Sequence, residues 1–349
     1  MKDRQKSPKV SFRKILLRAF LVLIIIITLF LASGLYVYDR VLPVKFAEAG
    51  PLETEIIFVV KPGAGVNSIA AELVKVGAIE HEILFRLKGR LSHDAGGLKA
   101  GEYSIDANAS IDQIFEKLQK AKVIQYAVTI AEGLTVRAII RQLQQYEFLT
   151  GDITVIPPEG SLHPETWHVI RGTDRQDMLR RMQTSQSKIL AELWKDRDPD
   201  LPFSTPAQAL ILASIVERET GVSMERERVA AVFVNRLRKG MRLDSDPTII
   251  YGLNGGEPLG RGLRRSEIDR KTAWNTYHIR GLPPTPISNP GRAAIWATLH
   301  PAKTRDLYFV ADGTGGHVFA KTYAGHLVNV AKWRRIERKR KREAKANRE

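Results

Sequence analysis

Glu217 and Glu219 lie at the end of a largely apolar stretch, Leu210 to Thr220 (LILASIVERET). In helical phase Glu217 falls one turn after Ala213 and two after Leu210, on an apolar face, and burial of that face would raise its pKa. A carboxylic acid kept neutral near pH 7 can protonate a glycosidic oxygen, the general-acid half of glycoside cleavage. The alternative is an exposed helix glutamate balanced by nearby arginines, and Glu219 competes with Glu217 for the acid role. The two cannot form a two-carboxylate dyad, because residues two apart on a helix do not face each other. A second carboxylate could come from Asp244 or Asp246 in RLDSDPT, where Pro247 fixes the turn and Asp246 could equally cap the next segment. Ser245, Asp246, Thr248, Tyr251, Asn275, Tyr277 and Asn289 are further polar groups on cleft-forming segments, able to hold a polar substrate or to satisfy loop backbone.

Other chemistries lack their signatures. The eight histidines include no HExxH pair or tight cluster, and no GxSxG elbow or P-loop occurs. Gly315-Gly316-His317 reads as a turn. With no cysteine there are no disulfides, thiolate nucleophiles or cysteine metal sites.

The elements that would position these residues read as α+β. Glu55–Val60 is a strand followed by an amphipathic helix over Val66–Val76; Gly101–Ile105 with Ser110–Leu118, and Tyr126–Ile130 with Val136–Leu143, repeat the pattern. Three helices follow: a polar one over Asp177–Leu193, an apolar one over Pro206–Thr220 and a third over Met224–Leu237. Gly240 to Gly291, rich in Gly and Pro, is expected to form a loop-built cleft, and Leu307–Val310 a late strand before an Asp312-Gly313 turn.

The formal charge of +16 sits at the two ends of the 349 residues. Met1–Arg18 and Arg334–Glu349 each carry a net +6, leaving about +4 for the middle, so no basic face points to a nucleic-acid partner. Ala19–Tyr38 is an uncharged apolar run long enough to cross about 30 Å of hydrocarbon as a helix. Seven cations before it put the N-terminus in the cytoplasm and the rest outside the inner membrane. The run exceeds a usual signal-peptide core and lacks a clear cleavage site, which favours an uncleaved anchor. The expected organisation is a basic segment (1–18), a transmembrane helix (19–38), a small module (39–125), a larger domain (126–333) and a basic tail (334–349), either a solvated or frayed helix or a segment that touches anionic lipid or wall polymer.

The string LILASIVERETGVSMERERVAAVFVNRLRKGMRLDSDPTIIYGL resembles the signature of the endolytic murein transglycosylase, or YceG-like, family. The likeness reaches back to EGSLHPETW at Glu159–Trp167 and forward through Asn275-Thr276-Tyr277, GLPPTPISNPG and GGHVF. PGAGVNSIAAELVKVGAI resembles the LysM-like module that precedes such catalytic domains, although a small α+β domain without sugar contacts fits equally.

The resemblance implies a membrane-anchored lytic transglycosylase, with Glu217 at the family's catalytic position as both acid and base. It would protonate the oxygen between MurNAc and GlcNAc, then deprotonate the MurNAc C6 hydroxyl as that oxygen attacks C1, leaving a 1,6-anhydroMurNAc end. One carboxyl then suffices, because the nucleophile is intramolecular, and no metal or cofactor is needed. Implied partners are peptidoglycan glycan strands, the inner membrane and the peptidoglycan synthases whose nascent strands it would terminate. The sequence departs from the pattern at Thr272-Ala273-Trp274, where Ser-Pro-Tyr is usual, and at Thr285, where Gly often stands. Rival readings are a hydrolytic muramidase using Glu217 with Asp246, a wall-binding scaffold without turnover, and an aminodeoxychorismate lyase, which the anchor disfavours.

Overall fold

The computed structural model describes residues 12–92 and 97–346. The cations before Phe12 and the last three residues of the tail lie outside the described residues. The chain divides into two compact units, Met1–Gln125 and Tyr126–Glu349.

The first unit begins with α1 (Phe12–Tyr36), which passes through a short π-helical turn at Val37–Val41 into α2 (Leu42–Ala47). Among the described residues α1 and its continuation form the one helix long and apolar enough to cross a membrane, and its side chains from Ile15 to Leu35 are exposed. Then come β1 (Ile56–Val60), α3 (Val66–Lys75), α4 (Glu82–Leu91), β2 (Gly101–Ile105) and α5 (Ile111–Gln119). β1 and β2 pair antiparallel with Phe58 opposite Tyr103. The period-2 alternation turns Phe58, Val60, Tyr103 and Ile105 inward and leaves Ile57 and Val59 exposed. The inward residues meet Ile69 and Leu73 of α3, Phe85 of α4 and Ile114, Phe115 and Leu118 of α5. Ser110 and Gln113 close a reciprocal capping box that starts α5.

The second unit opens with β3 (Tyr126–Thr129), α6 (Val136–Gln144), β4 (Leu149–Thr150), β5 (Thr166–Val169) and β6 (Thr173–Asp174). β3 pairs antiparallel with β5 and β4 parallel with β6. They share a core of Val128, Ile139, Leu143, Leu162 and Val169 with Met178 and Met182 of α7 (Arg175–Lys195). The larger core joins α8 (Pro206–Glu219) and α9 (Arg226–Arg238) to α12 (Arg292–Leu299), through Leu212, Ile215 and Val216, Val229 and Phe233, and Ile295 and Leu299. The segment read as a plain loop-built cleft is partly helical: α10 (Asp246–Asn254), with Pro247 in its first turn and Gly255 as a left-handed stop, and α11 (Arg265–Ile268) fall within it. The hairpin β7 (Tyr308–Ala311) and β8 (His317–Ala320) follows. α13 (Tyr323–Ala346) then runs unbroken into the basic tail, so the tail continues a helix that begins well before Arg334.

Candidate functional site

α8 delivers the two glutamates. Thr205 and Gln208 form a capping box at its start with Pro206 in the first turn, and the helix ends at Glu219 because Thr220 turns extended. Residues two apart project about 200° from one another, so the last turn sends Glu217 and Glu219 to different surroundings.

Glu217 turns into the protein, where its side chain is 5% exposed. Its Oε2 accepts the Gly291 N–H at 2.8 Å and its Oε1 lies 3.7 Å from Arg226 Nη2. Burial raises its pKa, opposed by the Gly291 N–H and Arg226, while Glu132 nearby raises it further. These contacts tie the end of α8 to the start of α12. Glu217 does not line the acidic cleft described next.

Glu219 lines a cleft of about 430 Å³ together with Asp244, Asp246, Tyr277, Tyr308 and Tyr323. Burial pushes its carboxyl up to about 7; the Ser245 hydroxyl opposes the rise, Asp246 adds to it, and His317 and Arg236 oppose it. Ser245 Oγ donates to Glu219 Oε1 at 2.5 Å. The position at the C-terminal end of α8 also disfavours an anion, because the last carbonyls of a helix present negative partial charge. Beside Glu219 the Tyr277 hydroxyl donates to Asp246 Oδ1 at 2.8 Å, and burial, with Asp246 next, holds that phenol protonated well above its ordinary range. Arg236 frames the floor: its guanidinium donates to the Leu243 and Leu307 carbonyls, meets Asp244 Oδ2 at 3.0 Å and lies over the Tyr308 ring. Asp244 itself adopts a left-handed φ of 45°. Tyr308 stacks on His326 at 5.1 Å and tilts against Tyr323 at 5.8 Å, giving one wall an aromatic surface. A carboxyl raised to about 7 in a cleft that ring faces also line is suited to giving a proton to a sugar oxygen. A larger depression, about 870 Å³ and lined by Arg228, Arg238, Lys303 and Asp306 among others, has no aromatic wall, and its Asp306 is held by Arg228 at 2.8 Å.

A sequence model of the YceG-like family matches residues 58–332. The chain belongs to that family. It is 30% identical over 320 residues to an endolytic murein transglycosylase of Bacillus subtilis, covering 82% of this chain and 86% of that one. An endolytic murein transglycosylase of Streptococcus pneumoniae is 26% identical over 90% of the chain, which spans 65% of that longer relative. A crystal structure of a YceG-like protein from Listeria monocytogenes, 28% identical, superposes with a TM-score of 0.47 over 78% of this chain and 98% of that one.

Within this YceG-like chain the other residues singled out by sequence divide into two groups. Ser245, Asp246 and Tyr277 converge beside Glu219. Thr248, Asn275 and Asn289 turn to the protein's own backbone. Thr248 Oγ1 donates to the Ser245 carbonyl and meets Thr276 Oγ1 at 2.9 Å, fixing the turn that aims Ser245. Asn275 is fully buried and donates to the Ile268 and Arg270 carbonyls. Asn289, also fully buried, accepts from Leu162 N–H and donates to the Leu134 carbonyl and to Glu159. Tyr251 lies apart from the cleft, its hydroxyl 3.3 Å from Glu159 and its pKa pushed up to about 12 by burial, with Glu159 adding to the rise. The two departures from the family pattern meet each other: Trp274 Nε1 donates to Thr285 Oγ1 at 2.9 Å, while the Trp274 ring packs edge-on against Tyr251. Sequence reasoning missed Arg236, Tyr308, Tyr323 and His326, which come from three separate elements, and gave no signal for them beyond the LYFV strand.

Proposed function

We propose that this chain is a membrane-anchored lytic transglycosylase of peptidoglycan whose acid/base is Glu219, with Glu217 as the residue that locks α8 to α12. The observation that carries the proposal is the placement of the Glu219 carboxyl, raised to about 7, on a cleft that Tyr277, Tyr308 and Tyr323 also line. The names of the relatives supply the substrate, murein, and the class of reaction.

In this reading neutral Glu219 gives its proton to the oxygen joining MurNAc C1 to the next GlcNAc, and the C1–O bond breaks. The resulting carboxylate takes the proton of the MurNAc C6 hydroxyl as O6 bonds to C1, so the acid is regenerated and no water is consumed. Ser245 steadies the carboxylate stage by its hydrogen bond, and Asp246, held by Tyr277, supplies negative charge near the developing oxocarbenium ion. The tyrosine faces suit sugar rings. α1 would hold the first unit, a LysM-like module over 39–125, and the catalytic domain over 126–333 at the outer face of the inner membrane, where cutting nascent strands beside the synthases would end their growth.

Asp246 in the same cleft favours one alternative, a hydrolytic muramidase with Glu219 as acid and Asp246 as second carboxylate. The test is to incubate uncrosslinked glycan strands with the chain and with its Glu219→Gln and Glu217→Gln variants, and to read the new ends by mass spectrometry. The proposal expects anhydro ends from the parent and from E217Q, and none from E219Q. Reducing ends would establish the hydrolase. Loss of activity in E217Q with retention in E219Q would return the acid to Glu217, and no cleavage by the parent would leave a wall-binding scaffold.

A further inference from the structure

α13 presents two faces of different character. The inner face packs on the β7–β8 hairpin: Trp333 and Ile336 lie against Gly313 at the hairpin tip, and Arg340 donates to the Gly313 carbonyl. Its first turns also carry Tyr323 and His326 to the acidic cleft. The outer face repeats at helical spacing. Leu327, Val328 and Ala331 are exposed, and beyond them Lys332, Arg334, Arg335, Arg338, Lys339, Lys341 and Arg342 are exposed too.

The acids do not neutralise this stripe. Glu337 is half-buried and pairs with Lys341 at 2.9 Å, and Glu343 lies 3.8 Å from Lys339. Lys332, Arg334, Arg335, Arg338 and Arg342 form no ion pair among the described residues. A solvated helix would need no apolar end on the same face as its cations. Leu327 at 49% and Val328 at 56% exposure, continuous with a cationic stripe in which, among the described residues, only Lys339 and Lys341 are paired, match a helix that lies in the headgroup region of an anionic bilayer.

We propose that the outer face of α13 docks on anionic lipid headgroups of the membrane that holds α1. The shared chain makes the encounter intramolecular, so a modest intrinsic affinity suffices. The same helix carries Tyr323 and His326, and Trp333 and Ile336 clamp its middle to the hairpin, so no joint separates the docked stripe from the cleft wall. Arg338 stands 15 residues, about 22 Å of helix, from Tyr323. Docking therefore fixes the orientation of the cleft against the bilayer surface. The inference does not depend on which bond the cleft cuts, because its test reads lipid contact alone.

The chain has no cysteine, so Leu327→Cys gives a unique site for an environment-sensitive fluorophore. The labelled full-length chain is reconstituted in vesicles of phosphatidylcholine, with or without about 30% phosphatidylglycerol, each carrying a brominated-lipid quencher. The proposal expects a blue shift and quenching only in the anionic vesicles, reversed at about 1 M salt, where screening is complete within about 3 Å, and lost in the Arg334→Gln, Arg335→Gln, Arg338→Gln variant. These three side chains are exposed, and unchanged tryptophan emission checks that the unit remains folded. Equal signals in both lipids, no quenching in either, or a signal that survives salt and the triple substitution would overturn it. So would a probe moved by soluble peptidoglycan strands in pure phosphatidylcholine, which would assign the stripe to the wall polymer.

Discussion

Glu219→Gln should abolish cleavage and at the same time stabilise the second unit at alkaline pH. The folded chain holds the Glu219 proton up to about pH 7, against a reference value of 4.5. The folded state therefore binds this proton more tightly than the unfolded chain does. The stability the group contributes is full below pH 4.5 and is lost as pH rises through 7. A gap of about 2.5 pK units at 1.36 kcal/mol each is about 3 kcal/mol. Glutamine keeps an oxygen to accept from Ser245 and never takes the charge, so the variant should exceed the parent by about 3 kcal/mol at pH 8 and match it at pH 4. In a unit of this size that is roughly 6–12 °C in Tm. All five tryptophans (Trp167, Trp194, Trp274, Trp296 and Trp333) lie in the second unit, so tryptophan emission follows its melting without interference from the anchored first unit. A stability difference independent of pH, or a variant weaker than the parent at pH 8, would refute a buried neutral acid at this position.

Cleavage should decline as pH rises through about 7, the limb belonging to protonated Glu219, and a profile rising through pH 7 would exclude it as the proton donor. Ser245→Ala removes a hydrogen bond that favours the carboxylate, so the alkaline limb should move to higher pH while turnover drops; a limb moved to lower pH would contradict the contact. Leu212→Ala, fully buried between α8, α9 and α12, should cost about 2–5 kcal/mol in denaturant unfolding of the second unit. Thr205→Ala, which removes the cap of α8, should cost about 0.5–2 kcal/mol in the same assay.

The sequence was most legible where one face of an element meets one environment. β1, β2 and β3 carry β-branched and aromatic residues and the helices after them have apolar stripes, so each was readable, as was the uniformly apolar α1. α8 was readable as a helix but not in phase. Leu212, Ala213, Ser214, Ile215 and Val216 are all buried, so burial runs all round the helix and its pattern cannot say which glutamate meets the cleft. The resemblance picked Glu217, and the reading proposed above takes Glu219, two residues further on and on another side of the helix. α10 was hidden by flanking Gly and Pro, which here serve as its start and stop. The aromatic wall escaped because Tyr308, Tyr323 and His326 are assembled by tertiary packing, and no local periodicity reports that.

The capping box at Thr205 and Gln208 fixes where α8 begins, and Thr220 fixes where it ends. Between them the helix has a set length of 14 residues. An insertion or deletion of one residue inside it would turn Glu219 by about 100° and slide it about 1.5 Å along the axis, off the cleft, even with every side chain retained. The tip of the β7–β8 hairpin carries no such phase relation to the acid. Among functional relatives, length variation should therefore gather at turns such as Asp312–Gly316 and be absent between Pro206 and Glu219, a pattern written by helical geometry and not by the identity of any side chain.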